Sequence, residues 1–104
     1  MLRIENDVLT VINNEIKSSD TVLELQTEYD CQIFGKLSFR NYEEKIIQFD
    51  KFDDTYKGRL LITQEDLPKL NGAQFFIVLV SNEMNMQTNG VMFKFNTELI
   101  KKDI

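Results

Sequence analysis

The 104-residue sequence has no histidine and no tryptophan, one cysteine, one proline and four glycines. Without histidine, the side chain that most often serves as a general base near neutral pH is missing. Ser-His-Asp and Cys-His nucleophilic arrangements are thereby excluded within one chain. Cys31 is the one soft ligand, which excludes zinc sites of the Cys/His type and any internal disulfide. A reactive thiolate needs electropositive surroundings. Cys31 instead follows Glu28, Tyr29 and Asp30, so it reads as a small buried hydrophobe.

Long apolar runs are also missing. The longest, Phe75–Val80, falls far short of the roughly 18 residues that span a bilayer. The N-terminal MLRIENDVLT carries Glu5 and Asp7 where a signal peptide places its apolar stretch, so export by a signal peptide is not expected. The net charge is -5, from 12 basic and 17 acidic residues. That balance offers no Lys/Arg footprint for phosphates, so neither nucleic acid nor an anionic membrane surface is an expected partner. There is no Gly-rich phosphate loop; Asn71-Gly72 and Asn89-Gly90 read as turn dipeptides. No cofactor is expected, and no enzymatic activity.

What is present is ordinary for a folded protein: 42% apolar and 28% charged residues. No linker, repeat or low-complexity tract divides the chain, so residues 1–104 read as a single domain. The dominant period is two. Leu23, Leu25, Thr27 and Tyr29 alternate with Glu24, Gln26 and Glu28, the pattern of a half-buried strand. The same parity continues through Cys31, Ile33, Leu37 and Phe39. One strand of that length is unusual, which predicts a break near Asp30–Gln32 and a bulge at Gly35. Leu2–Ile4 and Val8–Ile12 read as edge strands, with Asn13-Asn14 as the next turn. Lys45–Asp50, Tyr56–Thr63, Gln74–Ser81 and Val91–Asn96 complete the set, Val91, Phe93 and Phe95 facing inward. Between them, Thr63 and Asp66 resemble a capping box with Asp in the acidic place, and Pro68 limits the helix to one turn. A second short helical turn is expected in Thr97–Ile104. The sum is an all-β fold: an antiparallel β-sandwich of about seven or eight strands with one short helical turn.

The stretch from Leu60 to Asn96 runs strand, helical turn, Leu70-Asn71-Gly72, aromatic-aliphatic strand from Phe75, loop and final strand. It resembles the end of immunoglobulin-like and fibronectin-type-III-like modules, with Phe75 or Phe76 where those families place a corner tyrosine. The inter-sheet cysteine pair and core tryptophan of those families are absent. The Asn-, Lys-, Ile- and Phe-rich texture, with VMFKFNTELIKKDI at its end, is similar to small domains of bacteriophage tail, baseplate and head-fibre proteins. That resemblance implies an immunoglobulin-like sandwich acting as a structural module of a virion. Such a module docks onto other virion proteins or self-associates, in the particle or the host cytoplasm.

Two regions are candidate interfaces. The strand Gln74–Ser81 is apolar on both parities: Phe75, Ile77 and Leu79 on one, Phe76, Val78 and Val80 on the other. One set must face away from the core, covered either by the tail around Leu99 and Ile100 or by another chain. The loop Asn82–Gly90 offers Met84 and Met86, flexible apolar side chains suited to adaptable contacts. Asp50, Asp53 and Asp54, with Glu43 and Glu44 nearby, read as a solvated acidic turn and not a metal site, since no calcium-loop motif accompanies them. Glu65 and Asp66 are adjacent and cannot face each other across a glycosidic bond. The partner expected is therefore a protein or a second copy. A different class of function is an acidic inhibitor that occupies the basic groove of a host nucleic-acid enzyme.

Overall fold

The computed structural model describes residues 1–96, and they are mostly strand. The hairpin β1 (Leu2–Glu5) and β2 (Val8–Val11) is followed by β3 (Glu15–Ile16), β4 (Asp20–Gln26), β5 (Gln32–Ser38), β6 (Glu44–Phe52) and β7 (Thr55–Leu61). One 3-10 turn at Leu67–Lys69 contains Pro68 and leads to β8 (Gln74–Val80), β9 (Asn85–Gln87) and β10 (Lys94–Phe95). The chain does break between β4 and β5, but over residues 27–31, so Thr27 and Tyr29 fall outside the strand and Gln32 inside the next one. The helical turn expected in Thr97–Ile104, and the tail around Leu99 and Ile100 that was one of the two covers considered for β8, lie outside the described residues.

Eight strands form one sheet in the order β2-β1-β4-β7-β6-β5-β8-β9, and β10 pairs with β3. The large sheet is mixed, since β1 runs parallel to β4, and the separate β10–β3 pair is parallel too, which corrects the expectation of wholly antiparallel pairing. The reason lies in the first hairpin. β1 has Leu2 and Ile4 to bury where β2 has Leu9 alone. β1 therefore takes the inner place beside β4, and β2 the edge. The chain reverses twice between β1 and β4, so the two point the same way.

The inward parity of each strand is apolar and buried: Leu23 and Leu25, Ile33 and Leu37, Tyr56 and Leu60, Phe75, Ile77 and Leu79. These residues form one cluster with Phe49 and Phe93. Each large side chain there contributes roughly 1.5–3 kcal/mol of burial. Val91 and Phe95 pack against the same cluster, as their parity predicts. Phe75 and Phe93 meet with ring centroids 5.1 Å apart.

Two glycines make room for the rings. The ladder runs unbroken through Gly35, opposite Ile47 on one side and Ile77 on the other, so no bulge lies there. Gly35 is needed for close approach instead. A Cβ at that position would sit 2.5 Å from Phe75 Cζ, 2.8 Å from Phe49 Cε1 and 2.9 Å from Ile47 Cγ1. A Cβ at Gly58 would meet the Phe49 ring at 3.1 Å. Phe49 is also where β6 changes neighbours. It is opposite Ile33 of β5 and Gly58 of β7 at once.

The bulge is at Asn89–Gly90. Ile77 N–H donates to Thr88 Oγ1 at 3.1 Å, and Thr88 N–H to Ile77 O at 2.9 Å. The next bridge pairs Phe75 with Val91, so three steps on this side match two on β8. The extra residue aims the Asn89 side chain at the far edge of the sheet. Leu9 N–H of β2 donates to Asn89 Oδ1 at 2.8 Å, and Asn89 Nδ2 donates to Leu9 O at 3.0 Å. One amide side chain thus supplies the two ladder bonds that a neighbouring strand would make. The sheet curls until its two edges meet.

The 3-10 turn is tied to β6. Asp66, only 7% exposed, accepts from the Thr63 N–H at 2.9 Å, the back-bond of the capping box read from the sequence. Lys45 Nζ pairs with the same carboxylate at 2.5 Å and donates to Leu61 O at 2.7 Å. Burial alone would raise the Asp66 pKa. The Lys45 ammonium and the Thr63 N–H outweigh it and hold the carboxyl below its ordinary range.

Two outcomes follow from this packing. Gly35→Ala destabilises the domain by about 2–3 kcal/mol, more than Gly58→Ala, as read from urea midpoints, because three core side chains must move in the first case. Asp66→Asn costs roughly 3 kcal/mol at neutral pH, as one partner of a buried pair is lost. A carboxyl whose pKa is lowered by folding stabilises above its unfolded value, and that contribution fades as pH falls through the folded one. The gap between wild type and Asp66→Asn therefore narrows in urea titrations below about pH 4.

Candidate functional site

The outer face of β5, β6 and β8 groups several apolar side chains outside the core, while other exposed ones, Val22, Phe52 and Leu61 among them, lie elsewhere. Residues opposite one another in a ladder share a face. The register sets Phe34 between Val78 and Gln48, and Lys36 between Phe76 and Ile46. Val80 lies opposite Gln32, and Gln87 of β9 lies opposite Val78. Phe34, Phe76, Val78 and Val80 are half-buried, and Ile46 is 57% exposed. The two parities of β8 thus differ: Phe75, Ile77 and Leu79 have no exposure at all. Both faces of this strand were expected to be covered. Among the described residues, only the inner one is.

Lys36 sits in the middle of the patch with its charge engaged. Its Nζ donates to Gln87 Oε1 at 2.6 Å and lies 3.9 Å from Glu44 Oε2. The same atom is 5.4 Å from the centroid of the Phe76 ring, near enough for a cation–π contact. The ammonium is thus held by Gln87, Glu44 and the Phe76 ring, and its stem adds to the apolar surface.

Met84 and Met86 are on the other side. The β8–β9 turn is closed by Ser81 N–H donating to Met84 O at 2.8 Å, which fixes the register. Met86 then lies opposite Leu79 and shares its inward parity. Both methionines are half-buried and pack against the core edge. The five residues singled out from the sequence therefore divide: Phe76, Val78 and Val80 face outward, Met84 and Met86 toward the core. Phe34 and Ile46 complete the outward patch and were missed. Their signal was present in the apolar doublets Ile33-Phe34 and Ile46-Ile47, each of which must put one residue on either face.

The acidic residues do not converge. Glu43 and Glu44 lie at the start of β6 and Asp53 at its far end, nine strand residues apart. Glu43 is paired with Lys69, whose ammonium holds its carboxyl below the ordinary range. No group of three or more Cys, Asp or Glu among the described residues is placed to hold a metal ion. A cleft at one end of the sheet is lined by Arg3, Glu5, Asp7, Glu28, Tyr29 and Asp54. In it the Tyr29 hydroxyl donates to Asp7 Oδ1, a bond that raises the phenol pKa. Cys31 is half-buried against the core, and burial pushes its thiol up and away from the reactive thiolate. Among the described residues no helix is long and apolar enough to cross a membrane.

No protein-family model matches this chain, and neither a curated protein nor a solved structure matches it.

The two faces of β8 separate in a simple pair of substitutions. Ile77→Ala removes a fully buried side chain and costs about 2–4 kcal/mol, whereas Val78→Ala costs under about 1 kcal/mol in the isolated domain, by denaturant unfolding.

Proposed function

We propose that this chain is a non-catalytic structural and interaction module that binds a protein partner, or a second copy of itself, through the outer face of β5, β6 and β8. The observation that carries the reading is the grouping of Phe34, Ile46, Phe76, Val78 and Val80 on the face opposite the buried core. Apolar residues grouped on an outer sheet face mark an association surface more often than scattered single ones do. Glu44, Gln48 and Gln87 suit the polar border of such a patch, within which Lys36 lies between Phe76 and Ile46.

The strand order supports an immunoglobulin-like arrangement. β1, β4, β7 and β6 follow one another as the first, second, fifth and fourth strands of such a sandwich, and β5, β8 and β9 as its third, sixth and seventh. In this reading the two layers are joined through β6. The proposed setting is a phage particle, in a tail, baseplate or head-associated position, on the strength of the sequence texture and its closing run VMFKFNTELIKKDI. A second reading, an acidic inhibitor of a nucleic-acid enzyme, draws on the carboxylates of Glu5, Asp7, Glu28 and Asp54 around one cleft. Recovery of a DNA-handling enzyme, lost on Glu28→Lys and kept on Phe76→Ser, would favour it.

The double substitution Phe76→Ser and Val78→Ser tests the main reading. Multi-angle light scattering is expected to show wild type above monomer mass, or bound to a virion protein, and the variant folded and monomeric or unbound. A fall in stability of roughly 2–5 kcal/mol with unchanged assembly would mean that the chain covers this face itself.

A further inference from the structure

The chain contains two Asn-Gly dipeptides, Asn71-Gly72 and Asn89-Gly90. Asparagine before glycine carries its own reaction. The glycine nitrogen, with no Cβ beside it to obstruct approach, attacks the asparagine Cγ. A C–N bond closes a succinimide ring, and the side-chain nitrogen leaves as ammonia. Water then opens the ring to aspartate or isoaspartate. Solvent is the one co-reactant.

The two sites differ in what holds the amide. Asn89 is exposed as a residue, yet its Oδ1 accepts from Leu9 N–H at 2.8 Å and its Nδ2 donates to Leu9 O at 3.0 Å. The amide is fixed against β2, and Cγ cannot swing to the Gly90 nitrogen until both bonds break. Asn71 is exposed, and its amide makes no hydrogen bond among the described residues. Gly72, at φ 81°, has no partner for its N–H among the described residues as the chain passes from Leu70 to Ala73. Arg40 lies against it: a Cβ built on Gly72 would be 2.9 Å from Arg40 Cζ. A cation there favours the anionic form of the attacking amide and the negative charge that develops on the tetrahedral oxygen.

We propose that Asn71 is a site of spontaneous deamidation in the folded protein, assisted by Arg40, and that the bonds to Leu9 keep Asn89 intact. Peptide mapping by mass spectrometry tests this on the wild-type chain, held at mildly alkaline pH with and without urea. Unfolded, the two asparagines react at similar rates. Folded, Asn89 slows by roughly tenfold or more, since two hydrogen bonds must open first, while Asn71 keeps reacting. Arg40→Gln, or high salt on the wild type to screen the charge, slows Asn71 by about threefold and leaves Asn89 unchanged. Equal rates at the two sites in the folded protein would overturn the proposal, as would an Asn71 that folding protects. An Asn71 rate indifferent to both Arg40→Gln and salt would remove the assistance by Arg40.

Discussion

The structure turns on one ring, Phe49. It occupies the point of β6 where the strand leaves β5 and joins β7, and it is the residue opposed from both sides. Its ring needs space that any side chain on Gly58 or Gly35 would take. The tip of Phe75 claims the same space above Gly35. Two glycines and two phenylalanines therefore act as one packing unit. Interiors are packed nearly as densely as organic crystals, so the fit leaves little slack. Because β6 joins the two halves of the sheet, the curl of the whole sheet depends on that fit.

Much of this was legible as alternation. The inward sets of β4, β5, β7 and β8 follow from period two, and the one helical turn from Thr63, Asp66 and Pro68. Less legible was the use of Gly35. A glycine in a strand signals either a bulge or a close approach, and only the far partners, Phe49 and Phe75, decide between them. The real bulge at Asn89–Gly90 hides in a dipeptide that reads equally well as a turn. Parallel pairing of β1 with β4 was not legible at all, because it depends on which strand of a hairpin docks, a choice made by tertiary contacts. The candidate face was half legible: Phe76, Val78 and Val80 announce themselves in one strand, whereas Phe34 and Ile46 join them only through register. The inward side of Met86 was not legible because a loop reading carries no parity, and β9 does.

The outer patch and the inner core share the same strands, so the patch rests on rigid elements. A side chain on β5 or β8 is positioned by ladder bonds on both sides and by the buried residue next to it. Lys36 illustrates the arrangement: Gln87, Glu44 and the Phe76 ring each restrict it. A surface held this way loses little freedom when a partner arrives, which lowers the entropic cost of association.

The Asn89 amide also says something about when the fold can be completed. It bonds to a residue 80 positions earlier in the chain. Contacts of such separation carry a large loop-closure cost and form late unless nearer contacts have already brought their ends together. The β4–β8 sheet must therefore be largely in place before Leu9 finds its partner. A chain made from its N-terminus holds the first hairpin long before Asn89 exists to close its edge.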